Sequence, residues 1–137
     1  MDSQTLKEMT HRWIIGLWDE NNFDLIGEMT AEGWTFGVNQ LDPYGADTFP
    51  EAVSMYRKAF PDMKNTIEEQ VVEGDVVVTR GTTRGTHQGP LDEIPATGKK
   101  VAVPWVIFTR FKNGRIVEDW EIFDEHGFFK QLGIIPE

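Results

Sequence analysis

The sequence predicts an α+β fold in which N-terminal helices pack on a strongly curved antiparallel sheet. Residues 1–60 carry apolar side chains at helical spacing, interrupted by short polar breaks. From Ile67 onward, Val-rich runs are separated by tight turns, which is typical of an antiparallel meander. Helices followed by consecutive strands indicate an α+β arrangement, with the helices on the concave face of the sheet and a pocket between the two layers.

Three helices are expected in the first 60 residues. The first begins with a capping-box pattern at residues 5–8 and carries an apolar stripe of Leu6, Met9, Trp13 and Leu17. The second is short and spans about residues 23–29. The third begins with a second capping-box pattern at residues 48–51, ends at Pro61, and has an apolar face of Val53, Tyr56 and Phe60.

Turn signals mark the predicted strands. Alternation around Trp34 indicates a first strand, and Asn113-Gly114 is the strongest hairpin signal in the sequence. A loop over residues 88–99 is long enough to serve as a lid or a binding loop. A short helix is expected at the C-terminal end. The long strands of the sheet are predicted over Val76–His87, Lys100–Lys112 and Arg115–Phe123.

Composition and charge argue against several classes of function. The net charge of −10 disfavours binding to nucleic acid, because phosphate backbones require clustered Lys and Arg. There is no cysteine, the three histidines lack metal-ligand spacing, and no Gly-rich loop suggests a nucleotide, so we expect no metal and no cofactor. No apolar run approaches the ~20 residues of a membrane span, and no secretory signal pattern occurs. We therefore expect one cytoplasmic domain over residues 1–137.

The last predicted hairpin assigns faces to the acidic residues of its second strand. With a two-residue turn, Lys112 pairs with Arg115, and directly paired residues share a face of the sheet. Asp119 and Glu121 are then expected on the outer face, the usual place for acids. The other face is more apolar and is taken as concave. It carries Val103, Trp105, Ile107, Glu118, Trp120, Ile122 and Asp124.

Asp124 is the main candidate for an inward carboxyl group. Beside Val103 and Trp105 it would lose hydration, its pKa should rise, and it could serve as a general acid or base. Asp is also a favoured N-cap residue, so Asp124 could instead cap the C-terminal helix. The residues alone leave both roles open.

Arg80 and His87 are further polar candidates on the strand before the long loop. Strict alternation puts them on opposite faces, and a bulge at Gly81 or Gly85 would change this. An Arg80 buried beside a carboxylate would favour the ionised form of that acid. A lone histidine such as His87 is more often a structural residue than a catalyst.

Four segments resemble the SnoaL-like polyketide cyclase and ester cyclase family. They are "FPDM" at 60–63, "EGDVVVTRGTTRGTHQGPL" at 73–91, "IPATGKKV" at 94–101 and "RFKNGRIVEDWEIFDEHGFFKQLGIIP" at 110–136. The resemblance implies the nuclear-transport-factor-2-like cone. It also implies intramolecular aldol chemistry on a polyketide ester, without metal or cofactor.

The resemblance further implies roles for individual residues. The acid/base aspartate of the family aligns with Asp124, and the histidine of its Gly-Thr-His motif is His87. A base removes a proton beside a carbonyl group, and the enolate attacks a second carbonyl of the same substrate. We expect an apolar small-molecule substrate or ligand in a pocket lined by Trp13, Trp34, Phe36, Tyr56, Arg80, Trp105, Trp120 and Phe128.

Two other functions remain open on the same cone. An epoxide hydrolase would need an Asp–Arg–Asp set, of which Arg80 and Asp124 are two members, and a ketosteroid-isomerase-like enzyme is a variant of this alternative. A non-catalytic protein would only bind an apolar small molecule. The outer sheet face, with Val106, Phe108 and Phe123, is apolar and predicts a homodimer.

Overall fold

The computed structural model describes residues 1–135 and contains four helices and five strands. The helices are α1 (Ser3–Trp18), α2 (Asp24–Met29), α3 (Phe49–Ala59) and α4 (Glu125–Leu132). The strands are β1 (Thr30–Val38), β2 (Lys64–Glu73), β3 (Val76–Thr86), β4 (Lys100–Lys112) and β5 (Arg115–Phe123). Pro136, which ends the last resembling segment, and Glu137, which ends the predicted domain, lie outside the described residues.

The five strands form one sheet in the order β1-β5-β4-β3-β2. Strands β2 to β5 are an antiparallel meander, as predicted, and helices pack on the sheet, so the α+β fold is confirmed. The sheet is not purely antiparallel, because β1 pairs parallel with β5. The prediction missed this pairing, since β1 is separated from β5 by the whole meander and a long crossover permits either direction.

The local signals of the sequence were accurate at turns and less accurate at helix caps. Asn113 and Gly114 have φ of 51° and 78°, the positive values that a two-residue hairpin turn requires. The predicted capping boxes are wrong in both helices. Asp2 caps α1 by accepting a hydrogen bond of 2.8 Å from the Thr5 amide, and Thr48 precedes α3 without a side-chain cap.

The register between β4 and β5 changes at Val117. Phe111 pairs with Ile116 as predicted, but Arg110 pairs with Glu118, so Val117 has no partner and forms a β-bulge. A shift of one residue moves every following side chain of the strand to the other face. The predicted faces of β5 are therefore wrong beyond Val117. Asp119 and Glu121 are buried, and Glu118, Trp120 and Asp124 are exposed.

The core lies between the concave face of the sheet and the helices. Aromatic rings dominate it, and Phe36 of β1 stacks on Phe49 of α3 with ring centroids 4.6 Å apart. Gly16 of α1 allows a close approach of α2, because a Cβ at this position would overlap the Leu25 side chain. At the other end of the sheet, α4 closes the core with buried Phe128 and Leu132.

The outer face of the sheet carries an apolar patch. Phe108 and Trp120 are each 40% exposed and contact one another edge to face at 5.6 Å. Phe123 was expected on this face, but the bulge turns it inward, where it packs against the core. The homodimer stays a prediction. Within residues 1–135, no helix has the length and apolar character that crossing a membrane requires.

Candidate functional site

A cavity of about 130 Å³ lies between the sheet and the helices. Exposed residues border its mouth, namely Leu41, Arg84 and Glu125. A closed apolar cavity of this size can hold one small aromatic ring, so a larger ligand would extend through the mouth. Most of the lining side chains are apolar, and they include Ile14, Trp18, Phe49, Phe60, Met63, Trp105, Ile107, Phe123 and Phe128.

Glu121 brings a carboxyl group to this lining. It projects from β5 at the position paired with Ile107, and its side chain is only 9% exposed. No group in residues 1–135 donates a hydrogen bond to its carboxyl oxygens. Burial raises the pKa of Glu121 to about 8, and the nearby carboxyl of Asp119 adds to this effect. A carboxyl group that titrates near neutral pH can both take up and return a proton.

Asp119 lies two residues before Glu121 on the same face of β5, but its partners are internal. Its Oδ2 accepts hydrogen bonds from Trp13 Nε1 at 3.1 Å and Trp34 Nε1 at 2.8 Å. Its Oδ1 accepts a third from Thr109 Oγ1 at 2.7 Å. Burial raises the pKa of Asp119 to about 7, against the opposing effect of these three donors. Both carboxyl oxygens of Asp119 thus have hydrogen-bond donors, and the residue belongs to the core and not to the lining of the cavity.

The structure does not place Asp124 in the cavity, and the prediction that it points inward is wrong. Its side chain is exposed, and its Oδ1 accepts a hydrogen bond of 2.9 Å from the Gly127 amide at the start of α4. The alternative role as helix cap is the one observed. The cause is the bulge at Val117, which also carries Trp120 to the outer face.

Arg80 also lies away from the cavity. Strands β3 and β4 pair without interruption, so neither Gly81 nor Gly85 bulges, and Arg80 keeps the outer face. Its guanidinium is exposed and bridges Glu69 at 2.7 Å and Glu68 at 3.2 Å. A Cβ at Gly81 would lie 2.5 Å from the Trp105 ring, so this glycine lets the ring lie flat on β3.

His87 is completely buried, but it does not line the cavity. Its Nδ1 accepts a hydrogen bond from the Thr97 amide at 3.2 Å and lies 3.0 Å from Thr97 Oγ1. Its ring stacks on Phe60, one of the cavity walls, at 5.1 Å, and its Nε2 has no partner among the described residues. These contacts anchor the loop over residues 88–99 beneath the cavity wall.

Three of the predicted pocket residues do meet at the cavity, namely Tyr56, Trp105 and Phe128. Trp13, Trp34 and Phe36 are buried in the adjoining core, where the two indoles bind Asp119. The sequence analysis missed Glu121 and Asp119. The available signal was the apolar pair Ile116-Val117, which breaks the alternation of β5. Across residues 1–135, no three His, Cys, Asp or Glu side chains are grouped as metal ligands would be.

The capping role of Asp124 leads to a prediction about stability. We expect Asp124→Ala to lower the free energy of unfolding by about 1 kcal/mol, the usual cost of losing an N-cap side chain. Chemical denaturation of the two proteins measures this difference. Asp124→Asn retains a capping oxygen and should lose less than half as much. A loss of several kcal/mol in Asp124→Asn would contradict a simple cap.

The sequence and the fold were compared with those of known proteins. The family model of the SnoaL-like polyketide cyclases matches residues 8–132. No curated protein matches the sequence. The fold is similar to that of a proposed SnoaL-like polyketide cyclase from Jannaschia sp. CCS1, with a TM-score of 0.87 and 21% identity over 97% of this chain and 94% of that chain.

Two further solved structures are somewhat more similar in sequence. A proposed polyketide cyclase from Acidithiobacillus ferrooxidans has a TM-score of 0.82 and 25% identity over 97% of this chain and 98% of that chain. IdmH from Streptomyces antibioticus, also a proposed polyketide cyclase, has a TM-score of 0.74 and 28% identity over 88% of this chain and 95% of that chain. Because the family model covers residues 8–132, this protein belongs to the SnoaL-like polyketide cyclase family.

Proposed function

We propose that this protein catalyses a cofactor-independent cyclisation or isomerisation of an apolar, carbonyl-containing small molecule, with Glu121 as general acid and base. The observation that carries the proposal is the carboxyl group of Glu121, which is buried, has no hydrogen-bond partner in the described chain and lines a cavity with mostly apolar walls. Membership of the SnoaL-like family supports the class of reaction.

In the proposed reaction, ionised Glu121 takes a proton from the carbon beside a carbonyl group. The resulting enolate attacks a second carbonyl of the same substrate, and the protonated Glu121 returns its proton to the new alkoxide. The apolar walls exclude water and hold the two reacting carbons together, so proximity contributes to the rate. The raised pKa of Glu121 suits both steps, because the group changes protonation state near pH 8.

The geometry gives less support to an epoxide hydrolase. The Asp–Arg–Asp set expected for that reaction included Arg80 and Asp124. Arg80 is bound to Glu68 and Glu69 on the outer face, and Asp124 caps α4. A protein that only binds a small molecule is the remaining alternative, and the test below separates it from an enzyme.

The proposal is tested by proton exchange with 2-tetralone, a bicyclic ketone with acidic benzylic hydrogens beside the carbonyl, one ring of which matches the size of the cavity. In D₂O, proton NMR follows deuterium incorporation beside the carbonyl. We expect wild-type protein to accelerate this exchange, with kcat/KM rising up to about pH 8 because the base must be ionised. Glu121→Gln should lower the rate by about 100-fold or more, the usual contribution of a general base.

Asp124→Asn is the matched control, because it neutralises a nearby carboxyl that caps α4 outside the cavity. Its exchange rate should equal that of the wild type. A protein that only binds ligands would give a different pattern. The ketone would raise the melting temperature of wild type and Glu121→Gln alike, and neither would exchange protons faster than buffer.

A further inference from the structure

The polar groups that line the cavity together with Glu121 suggest where the oxygen of a substrate would lie. Several polar side chains along the cavity are already engaged with each other. Asn65 donates from Nδ2 to Asp19 at 2.7 Å, and its Oδ1 accepts a hydrogen bond from Thr83. Asn39 uses its Oδ1 to accept from the Phe123 amide at 2.9 Å. Asn65 and Thr83 thus hold the walls in place and have little capacity left for a ligand, whereas Asn39 keeps its Nδ2 amide as a donor beside β5.

Tyr56 differs from these groups. It lies on α3, one turn after buried Val53 and two turns after buried Phe49, so its side chain projects from the helix face that covers the sheet. Its ring packs against Trp18 with centroids 6.4 Å apart. Its hydroxyl forms no hydrogen bond with any group in residues 1–135, and the residue lines the cavity.

Tyr56 and Glu121 belong to opposite layers of the fold. Glu121 comes from the sheet and Tyr56 comes from the helix above it, so a ligand in the cavity would lie between them. Burial raises the pKa of Tyr56 to about 12, and the neighbouring Tyr44 and Glu121 add to the rise. The hydroxyl therefore remains a hydrogen-bond donor at all pH values at which the protein would work.

The other donors of the lining are less suitable. Trp105 Nε1 also has no partner among the described residues, but it is buried out of reach of solvent. Arg84 is exposed at the mouth. Tyr44 lies on the segment that bridges to Phe36 of β1, with its ring against Phe49 at 6.2 Å. Of these groups, Tyr56 combines a hydroxyl without a partner in residues 1–135 with a position on the buried face of α3, in the layer that lies across the cavity from the sheet.

We propose that Tyr56 is a catalytic residue that donates a hydrogen bond to the carbonyl oxygen of the substrate while Glu121 removes the proton from the adjacent carbon. This inference rests on the proposed function. The C–H bond breaks, its proton passes to the Glu121 carboxylate, and its electron pair forms the C=C bond of the enolate. The carbonyl π pair moves to oxygen, where the Tyr56 hydroxyl stabilises the new negative charge in a site of low polarity.

The experiment compares Tyr56→Phe with wild type in the exchange of 2-tetralone, and adds the binding of 2-naphthol by titration calorimetry. 2-Naphthol is a stable, flat mimic of the enol of 2-tetralone. We expect Tyr56→Phe to lower kcat for exchange by about 100-fold, as the loss of one donor to an oxyanion does. It should weaken binding of 2-naphthol by about 10-fold, while the KM for the ketone changes by less than 3-fold. Circular dichroism verifies that the variant is folded.

The outcomes separate the two proposals. If Glu121→Gln loses exchange and Tyr56→Phe retains the wild-type rate, the role of Tyr56 is overturned and the proposed function stands. If wild-type protein does not accelerate exchange at all, the proposed function fails and the role of Tyr56 fails with it. Tyr44→Phe removes the other phenolic oxygen of the lining. A loss of kcat in Tyr44→Phe that equals or exceeds the loss in Tyr56→Phe would overturn the assignment to Tyr56.

Discussion

Asp119→Ala should destabilise the protein by about 3–5 kcal/mol, because the substitution leaves three buried donors without an acceptor. Those donors are the indole nitrogens of Trp13 and Trp34 and the hydroxyl of Thr109. Each unpaired buried polar group costs about 1–3 kcal/mol, and the space vacated by the carboxyl adds to the loss. Denaturation with urea at about pH 6 measures the effect.

Asp119→Asn is the informative companion variant. The amide oxygen can still accept from both indoles, and the amide nitrogen can donate to Thr109 Oγ1, whose hydroxyl hydrogen can rotate away. We therefore expect Asp119→Asn to lose less than half of what Asp119→Ala loses. Equal losses in the two variants would contradict the view that the acceptor capacity of Asp119 holds the indoles in place.

The free energy of unfolding should fall as pH rises from about 5 to about 8. In the unfolded chain Glu121 ionises near its model value of 4.5, whereas in the folded chain it keeps its proton up to about pH 8. Between these values the folded state binds more protons than the unfolded state, so raising the pH favours unfolding, by at most about 1.4 kcal/mol per pH unit for one group. Asp119 acts in the same direction between its model value of 3.8 and about pH 7.

Glu121→Gln removes one of these titrations. We expect the decline in stability between about pH 5 and pH 8 to shrink by about 2–4 kcal/mol in this variant, as measured by denaturant titration at each pH. Glu118→Gln makes the same substitution on an exposed side chain of β5 and should leave the decline unchanged. An equal pH dependence in wild type and Glu121→Gln would mean that the Glu121 carboxyl is hydrated in the folded protein.

The sequence predicted the elements well because their signals are local. The bounds of β4 and β5 were predicted correctly, and β3 ends one residue earlier than expected, at Thr86. Asn113-Gly114 fixes its turn through backbone conformation alone, without help from distant residues. Tyr56, Trp105 and Phe128 were placed near the cavity because their spacing on a helix or a strand points them inward.

The acids were misassigned because a β-bulge has only a weak signal in the sequence. Val117 follows another apolar residue, Ile116, and either of them could have continued the alternation. Distant groups decide between the two registers. Asp119 lies inside because Trp13, Trp34 and Thr109 present donors there, and those residues are far from β5 in the chain. Pattern analysis of one strand does not contain that information.

Because Val117 has no partner, the alternation of inward and outward side chains along β5 shifts by one residue at this position. Counted from the hairpin turn, odd positions of β5 face outward, and counted back from α4 they face inward. Loss of the codon for Val117 would remove the bulge and leave every other pair between β4 and β5 in register, so the interior and exterior acids would keep their places. If Val117 instead paired with Arg110 in the intact sequence, every later side chain of β5 would change face, and Glu121 would leave the cavity.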